Sequence, residues 1–134
     1  MAVRLHAASI KLLRLLRRED ENSELSARRM SALSAIAFAG PVSLAELAAA
    51  EQVRPPTMSR LVEALVGLGL ITRETDPANR RMVSISATSA GHDLLEAGRG
   101  RRVRLLSDRL KRLADSEQRA LYRAVELIER VAQS

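Results

Sequence analysis

Residues 53–91, VRPPTMSRLVEALVGLGLITRETDPANRRMVSISATSAG, constrain the fold more than any other part of the chain. The stretch opens with two prolines. Proline is favoured at the first helical position, where its missing N–H would have no partner anyway. It also pushes the residue before it, Arg54, into an extended conformation. Met58, Leu61, Val62, Leu65 and Leu68 then recur at helical spacing, and Gly69 stands where a left-handed residue would end the helix. Beyond Gly69 the period changes. LITRET and RMVSISAT are short strand candidates, with Val83, Ile85 and Ala87 alternating with Ser84 and Ser86, the pattern of a half-buried strand. The turn-rich DPANR between them predicts a hairpin with Arg80 and Arg81 at its tip.

Just upstream, SLAELAAAEQ places Ser43 three residues before Glu46, the spacing of a capping box. It predicts a short helix with Leu44, Leu47 and Ala48 on one face and a tight turn at 51–53. Helix, turn, helix, hairpin is a winged helix-turn-helix. The fold class is therefore mainly α with a small β-hairpin (α+β), flanked by N- and C-terminal helices. One amphipathic helix is expected over 2–18, on Val3, Leu5, Ile10, Leu13 and Leu16. A second is expected over 25–38, through Met30, Leu33, Ile36 and Ala37, ended by AGP at 39–41. Thr88 or Ser89 caps a long helix to about 113, in which Gly98 and Gly100 predict a close packing contact or a kink. Asp115 and Gln118 form a second capping-box pattern, before a last helix over about 116–132 with Leu121, Val125, Ile128 and Ala132 on one face. With 134 residues the chain is the size of one domain. A winged lobe spans about 25–90, and a single dimerisation lobe combines about 1–20 with 90–134. The apolar faces at 3–16 and 121–132 exceed what one chain covers, which predicts a homodimer.

The formal net charge is +6, carried mostly by arginine. A basic balance favours a polyanionic partner, nucleic acid ahead of an anionic membrane surface. The other reading is a solvated domain with no such partner. The first helix lacks the Trp or Phe anchor of a membrane-surface helix. No run approaches the ~20 apolar residues that span a bilayer, and the N-terminus lacks a signal-peptide pattern; a soluble cytoplasmic protein is expected. The absence of cysteine excludes disulfides and thiolate metal sites. His6 and His92 lie far apart with no carboxylate at ligand spacing, and Ser23, Ser31 and Ser34 form no nucleophile pattern with them. No metal, cofactor or catalytic constellation is expected. The basic run 99–112 reads as a solvated helix face, or as an added field that draws DNA in.

In a winged helix-turn-helix the second helix enters the major groove, and its N-terminal residues meet base edges. Here those residues are Arg54, Thr57, Ser59 and Arg60. The double proline keeps the helix start slim and directs its positive end toward phosphate. Arg80 and Arg81 on the wing suit the negative potential of a narrow minor groove. A winged helix that binds protein instead would show acidic or apolar residues at 54–60, and no acid stands there before Glu63.

These features together resemble the MarR family of bacterial transcription regulators. The resemblance is carried by SLAELA, TMSRLVEALVGLGLITRE, DPANRRMVSIS and TSAGHDLL, and with the flanking helices it covers nearly the whole chain. It implies a homodimer built on the first and last two helices, binding a pseudo-palindrome in double-stranded DNA. It also implies repression relieved by a small anionic or phenolic effector, at ligand positions the motifs do not assign. By position, Thr57, Ser59 and Arg60 match the polar recognition-helix residues, and Ser43 opens the preceding helix as a further contact. Arg54, Pro55 and Pro56 fall where family members vary and set sequence preference, and Arg81 matches the wing arginine beside Arg80. The chain departs from the pattern at Asn79, where aspartate is common, and at Ala87, where leucine is common. The first removes an ion pair to the wing arginine; the second implies thinner packing beneath the hairpin.

Overall fold

The computed structural model describes residues 1–21, 23 and 25–133. The elements run α1 (Ala2–Asp20), α2 (Ala27–Ala39), α3 (Leu44–Ala50), α4 (Pro55–Gly67), β1 (Ile71–Thr75), β2 (Val83–Ala87), α5 (Ser89–Leu110) and α6 (Asp115–Gln133). The expected mainly helical fold with one hairpin is what forms. By its internal contacts the chain divides into two compact units, Met1–Arg99 and Gly100–Ser134.

The first unit holds the core. Ala32, Leu33 and Ile36 of α2, Leu47 and Ala48 of α3, and Met58, Val62 and Leu65 of α4 are buried against Leu70, Ile71 and Ile85 at the root of the hairpin. Aliphatic side chains alone fill it, as the near absence of aromatics requires; Phe38 is left almost fully exposed, at 95%. Leu94 and Leu95 bring the first turns of α5 onto the same core. Ala87 is only partly buried there, consistent with a thin layer under the hairpin.

Local chemistry sets most boundaries. α2 starts two residues later than its apolar pattern suggests. Ser26 is the N-cap, its hydroxyl accepting the Arg29 N–H at 3.3 Å. Leu25, just outside the helix, is turned into the core, with Met30 packed against that core in the arrangement of a hydrophobic staple. Gly40, at φ 71°, stops α2. α4 ends in a full Schellman motif. The Gly69 N–H donates to Val66 O and the Leu70 N–H to Leu65 O, with Gly69 at φ 73°.

The strands pair antiparallel, Ile71 opposite Ala87 and Thr75 opposite Val83. β2 begins at Val83 rather than at Arg81, because the tip draws Arg81 and Met82 into its turns. A third segment joins the sheet. Val42 and Ile85 exchange both backbone hydrogen bonds, at 3.0 and 2.8 Å.

Thr88 rather than Ser89 caps α5, its hydroxyl accepting the Gly91 N–H at 3.1 Å. The helix runs unbroken through Gly98 and Gly100, and Gly98 is buried. α6 is capped differently from the sequence expectation. Glu117, not Asp115 or Gln118, accepts the N–H of Ala114, the residue just before the helix, at 2.9 Å. Gln118 instead donates to Leu113 O. Neither α1 nor α6 buries a single residue within the chain. Among the described residues, no helix is long and apolar enough to cross a membrane, and no cluster of His, Asp or Glu could hold a metal ion.

Candidate nucleic-acid interface

α3 is held at its start by the capping box read from the sequence. The Ser43 hydroxyl accepts the Glu46 N–H at 3.2 Å, and the Glu46 carboxylate accepts the Ser43 N–H at 2.9 Å. The backbone N–H of Ser43, then its hydroxyl, hold the Glu46 carboxyl below its ordinary value of 4.5. A carboxylate with a depressed folded-state pKa stabilises fully above the unfolded value and loses that contribution as pH falls through the folded one. The melting-temperature difference between wild type and Glu46→Ala should therefore be present at pH 7 and shrink as the pH drops below 4.5. Melts at matched ionic strength would check it.

The turn between α3 and α4 is a second Schellman motif. The Gln52 N–H donates to Ala49 O and the Val53 N–H to Ala48 O. Gln52 takes the left-handed position at φ 54°, where glycine is usual. Ser31 of α2 donates to Glu51 at 2.6 Å, fixing the turn to the helix behind it. Neither feature was visible in the sequence, which offers no glycine at 52 and no local link between positions 20 residues apart.

α4 buries Met58, Val62 and Leu65. At 100° per residue the opposite face is Pro56, Arg60, Glu63 and Gly67, all exposed, with Thr57 and Ser59 half-buried on its flanks. Arg54 is the N-cap residue, extended at φ −66°, ψ 143°, and its side chain makes no capping bond. Pro55 and Pro56 occupy the first two helical positions. Having no N–H, they remove two of the donors that a helix start normally offers an anion. The Met58 N–H is spent on Arg54 O. Thr57 is thus the only first-turn residue whose N–H remains for a phosphate. The helix start is less polar than its dipole alone implies.

The wing tip is built from two linked turns. The Asn79 N–H donates to Asp76 O and the Met82 N–H to Asn79 O. Each turn is stapled by a side chain. Asp76 Oδ1 accepts the Ala78 N–H at 2.9 Å, and Asn79 Oδ1 accepts the Arg81 N–H at 3.1 Å. Asn79 therefore holds the backbone of Arg81 even without a carboxylate. Arg80 and Arg81 are exposed. The site residues expected from sequence thus fall on three features: Ser43 at the start of α3, residues 54–60 on the first turns of α4, and Arg80 and Arg81 on the wing. His6 and His92 are both exposed.

Comparison with known proteins agrees with this geometry. The MarR family model matches residues 25–83. An HTH-type transcriptional regulator of Mycobacterium leprae is 34% identical over 128 residues, 96% of this chain and 90% of the relative. One of Mycobacterium tuberculosis gives the same identity and coverage. A crystal structure of a transcriptional regulator from Pseudomonas aeruginosa superposes with a TM-score of 0.83 at 32% identity, over 99% of this chain and 94% of that one. A MepR mutant of S. aureus, bound to an oligodeoxyribonucleotide, shares the fold with a TM-score of 0.75 at 20% identity, over 98% of this chain and 96% of that one. The chain belongs to the MarR family, winged helix-turn-helix transcription regulators that bind DNA and are not enzymes.

Proposed function

We propose that the protein is a cytoplasmic, homodimeric repressor that reads a pseudo-palindromic operator and releases it on binding a small molecule. The observation that carries this is the outward face of α4, where Arg54, Pro56 and Arg60 stand exposed beside Thr57 and Ser59. α4 lies in the major groove. Arg54 and Arg60 reach base edges or phosphates, Thr57, Ser59 and Ser43 bond phosphate, and Arg80 and Arg81 enter the adjoining minor groove. Selection of duplexes from a random pool by the purified protein tests this. A two-fold-related consensus is expected; an unchanged pool would overturn it. Arg54→Ala should then relax the consensus, while Arg60→Ala should weaken all sites more evenly if it holds phosphate.

The bare faces of α1 and α6 support the dimer. Leu121, Val125, Ile128 and Val131 are 39–70% exposed, and Val3 is 82% exposed. Apolar stripes of that extent are covered in a stable protein. Sedimentation at micromolar concentration should give a dimeric mass, and a monomeric mass would contradict the proposal.

A hollow of about 970 Å³ in the first unit supports an effector. Leu25, Met30, Val53 and Leu61 supply apolar lining, and Arg17, Arg28, Asp20, Glu21 and Glu51 supply charged lining of both signs. The mixed charge suits a small amphipathic compound, anionic or phenolic, whose acidic group meets an arginine.

The wing contributes by its arginines more than by Asn79. Asn79→Asp retains the acceptor for the Arg81 N–H and adds a charge that both attracts the guanidinium and repels phosphate. These effects oppose each other, and an exposed ion pair is worth only ~0–1 kcal/mol. Arg81→Ala should therefore weaken operator binding more than Asn79→Asp does, and most on A·T-rich flanks, where the minor groove is narrow. Titrations on A·T-rich and G·C-rich flanks would check it. Equal affinities of wild type and Arg81→Ala on both would remove the wing from recognition.

A further inference from the structure

We infer that the proline pair opening α4 reads thymine, the ring of Pro56, with Pro55 beside it, packing on a thymine C5-methyl in the major groove. The inference rests on α4 being the recognition helix, as proposed above.

A single proline suffices to start a helix, and the favoured place for it is the first position. Here the second position is proline as well, and both rings are exposed. Neither residue can donate a backbone hydrogen bond, so neither can hold a phosphate or a base acceptor. Pro56 stands one turn before Arg60 on the face opposite Met58, Val62 and Leu65. Whatever Arg60 meets at the floor of a groove, the Pro56 ring meets close beside it. What the ring offers is rigid, apolar and without donors. Of the groups that base edges present in the major groove, only the thymine methyl is apolar. A guanidinium on a guanine edge and a ring on a neighbouring methyl would together read adjacent base pairs by two different chemistries.

The test begins with a duplex selected from a random pool by the full-length protein. Deoxyuridine then replaces thymine, one symmetric pair of positions at a time. This keeps every hydrogen-bonding group and removes only the methyl. At least one thymine per half-site, next to the base pairs most sensitive to Arg54→Ala or Arg60→Ala, should lose about fourfold in affinity per methyl and about fifteenfold for the pair. A variant with Pro55→Ser and Pro56→Ser should bind the thymine and uridine duplexes equally; serine is well tolerated at a helix start. Circular dichroism verifies its helix content, and Pro56→Ser alone serves if the double change loses helix. Indifference to uridine at every position would overturn the inference and leave DNA binding standing. So would a uridine effect that persists undiminished in the serine variant. If no duplex is selected at all, the recognition-helix reading falls and this inference with it.

Discussion

Gly91→Ala should destabilise the protein by about 3 kcal/mol, near the upper end for overpacked sites. A melting-temperature loss on the order of 10 °C is expected at fixed protein concentration. A Cβ at Gly91 would drive into the carbonyl oxygen of Leu70 and lie 3.3 Å from Leu33 Cδ1. The carbonyl cannot simply retreat, because it accepts the Thr88 N–H at 3.0 Å. Leu70 also closes the Schellman motif of α4 through its own N–H. Moving it would disturb the end of α4, the start of β1 and the cap of α5 together. The contrast is Gly100→Ala, where a Cβ meets nothing within 4 Å in the chain. There alanine should add about 1 kcal/mol of helix propensity. Thermal melts of the two variants would decide the matter: equal stability would remove the proposed role of the close approach at Gly91.

Operator affinity should fall by about a thousandfold or more between ~50 and ~200 mM salt. Arg54, Arg60, Arg80 and Arg81 stand exposed in each chain. In a dimer the pair of winged lobes presents two such sets, enough arginines to neutralise six or more phosphates. Counterion release then gives log affinity a slope of about −0.9 per neutralised phosphate against log salt. Arg81→Ala should flatten that slope, whereas a change that removes no positive charge should shift the line without tilting it. Fluorescence anisotropy across a salt series would measure both. A line that stays flat would mean a protein partner on this surface rather than DNA.

Much of this architecture was legible because its signals are local. Pro55 at the first turn of α4, Gly69 beyond its end, and Ser43 with Glu46 on α3 each act within four residues, and each sits where the sequence placed it. The missed features depend on contacts from elsewhere. Gln52 is held left-handed by the demand of the helix-turn-helix, although its side chain gives no hint of it. Leu25 continues the apolar pattern of α2 but leaves the helix, because burial outweighs one more turn. At α6 the sequence suggested two side chains of suitable type at capping spacing. The N–H that needed a partner was one residue earlier, and the Glu117 carboxylate reached it whatever side chain stood there. The contact candidates at 54–60 were legible as chemistry. Only the helix phase against Met58, Val62 and Leu65 separates Pro56 and Arg60 on the outward face from Thr57 and Ser59 on its flanks.

The double hydrogen bond between Val42 and Ile85 gives the wing a mechanical character. A two-stranded hairpin alone is marginally stable in water, and it would flex along its whole length. Here one strand is clamped at its middle to the connection that leaves α2 at Gly40 and enters α3 at Ser43. The clamp is a fulcrum. Beyond it the tip with Arg80 and Arg81 is a short lever arm, and behind it lies the root bound to the core. A force on the tip from a bent or widened minor groove arrives first at the start of α3. With the wing in a minor groove, as proposed, the groove's shape would be felt at the helix-turn-helix itself, without passing through α4.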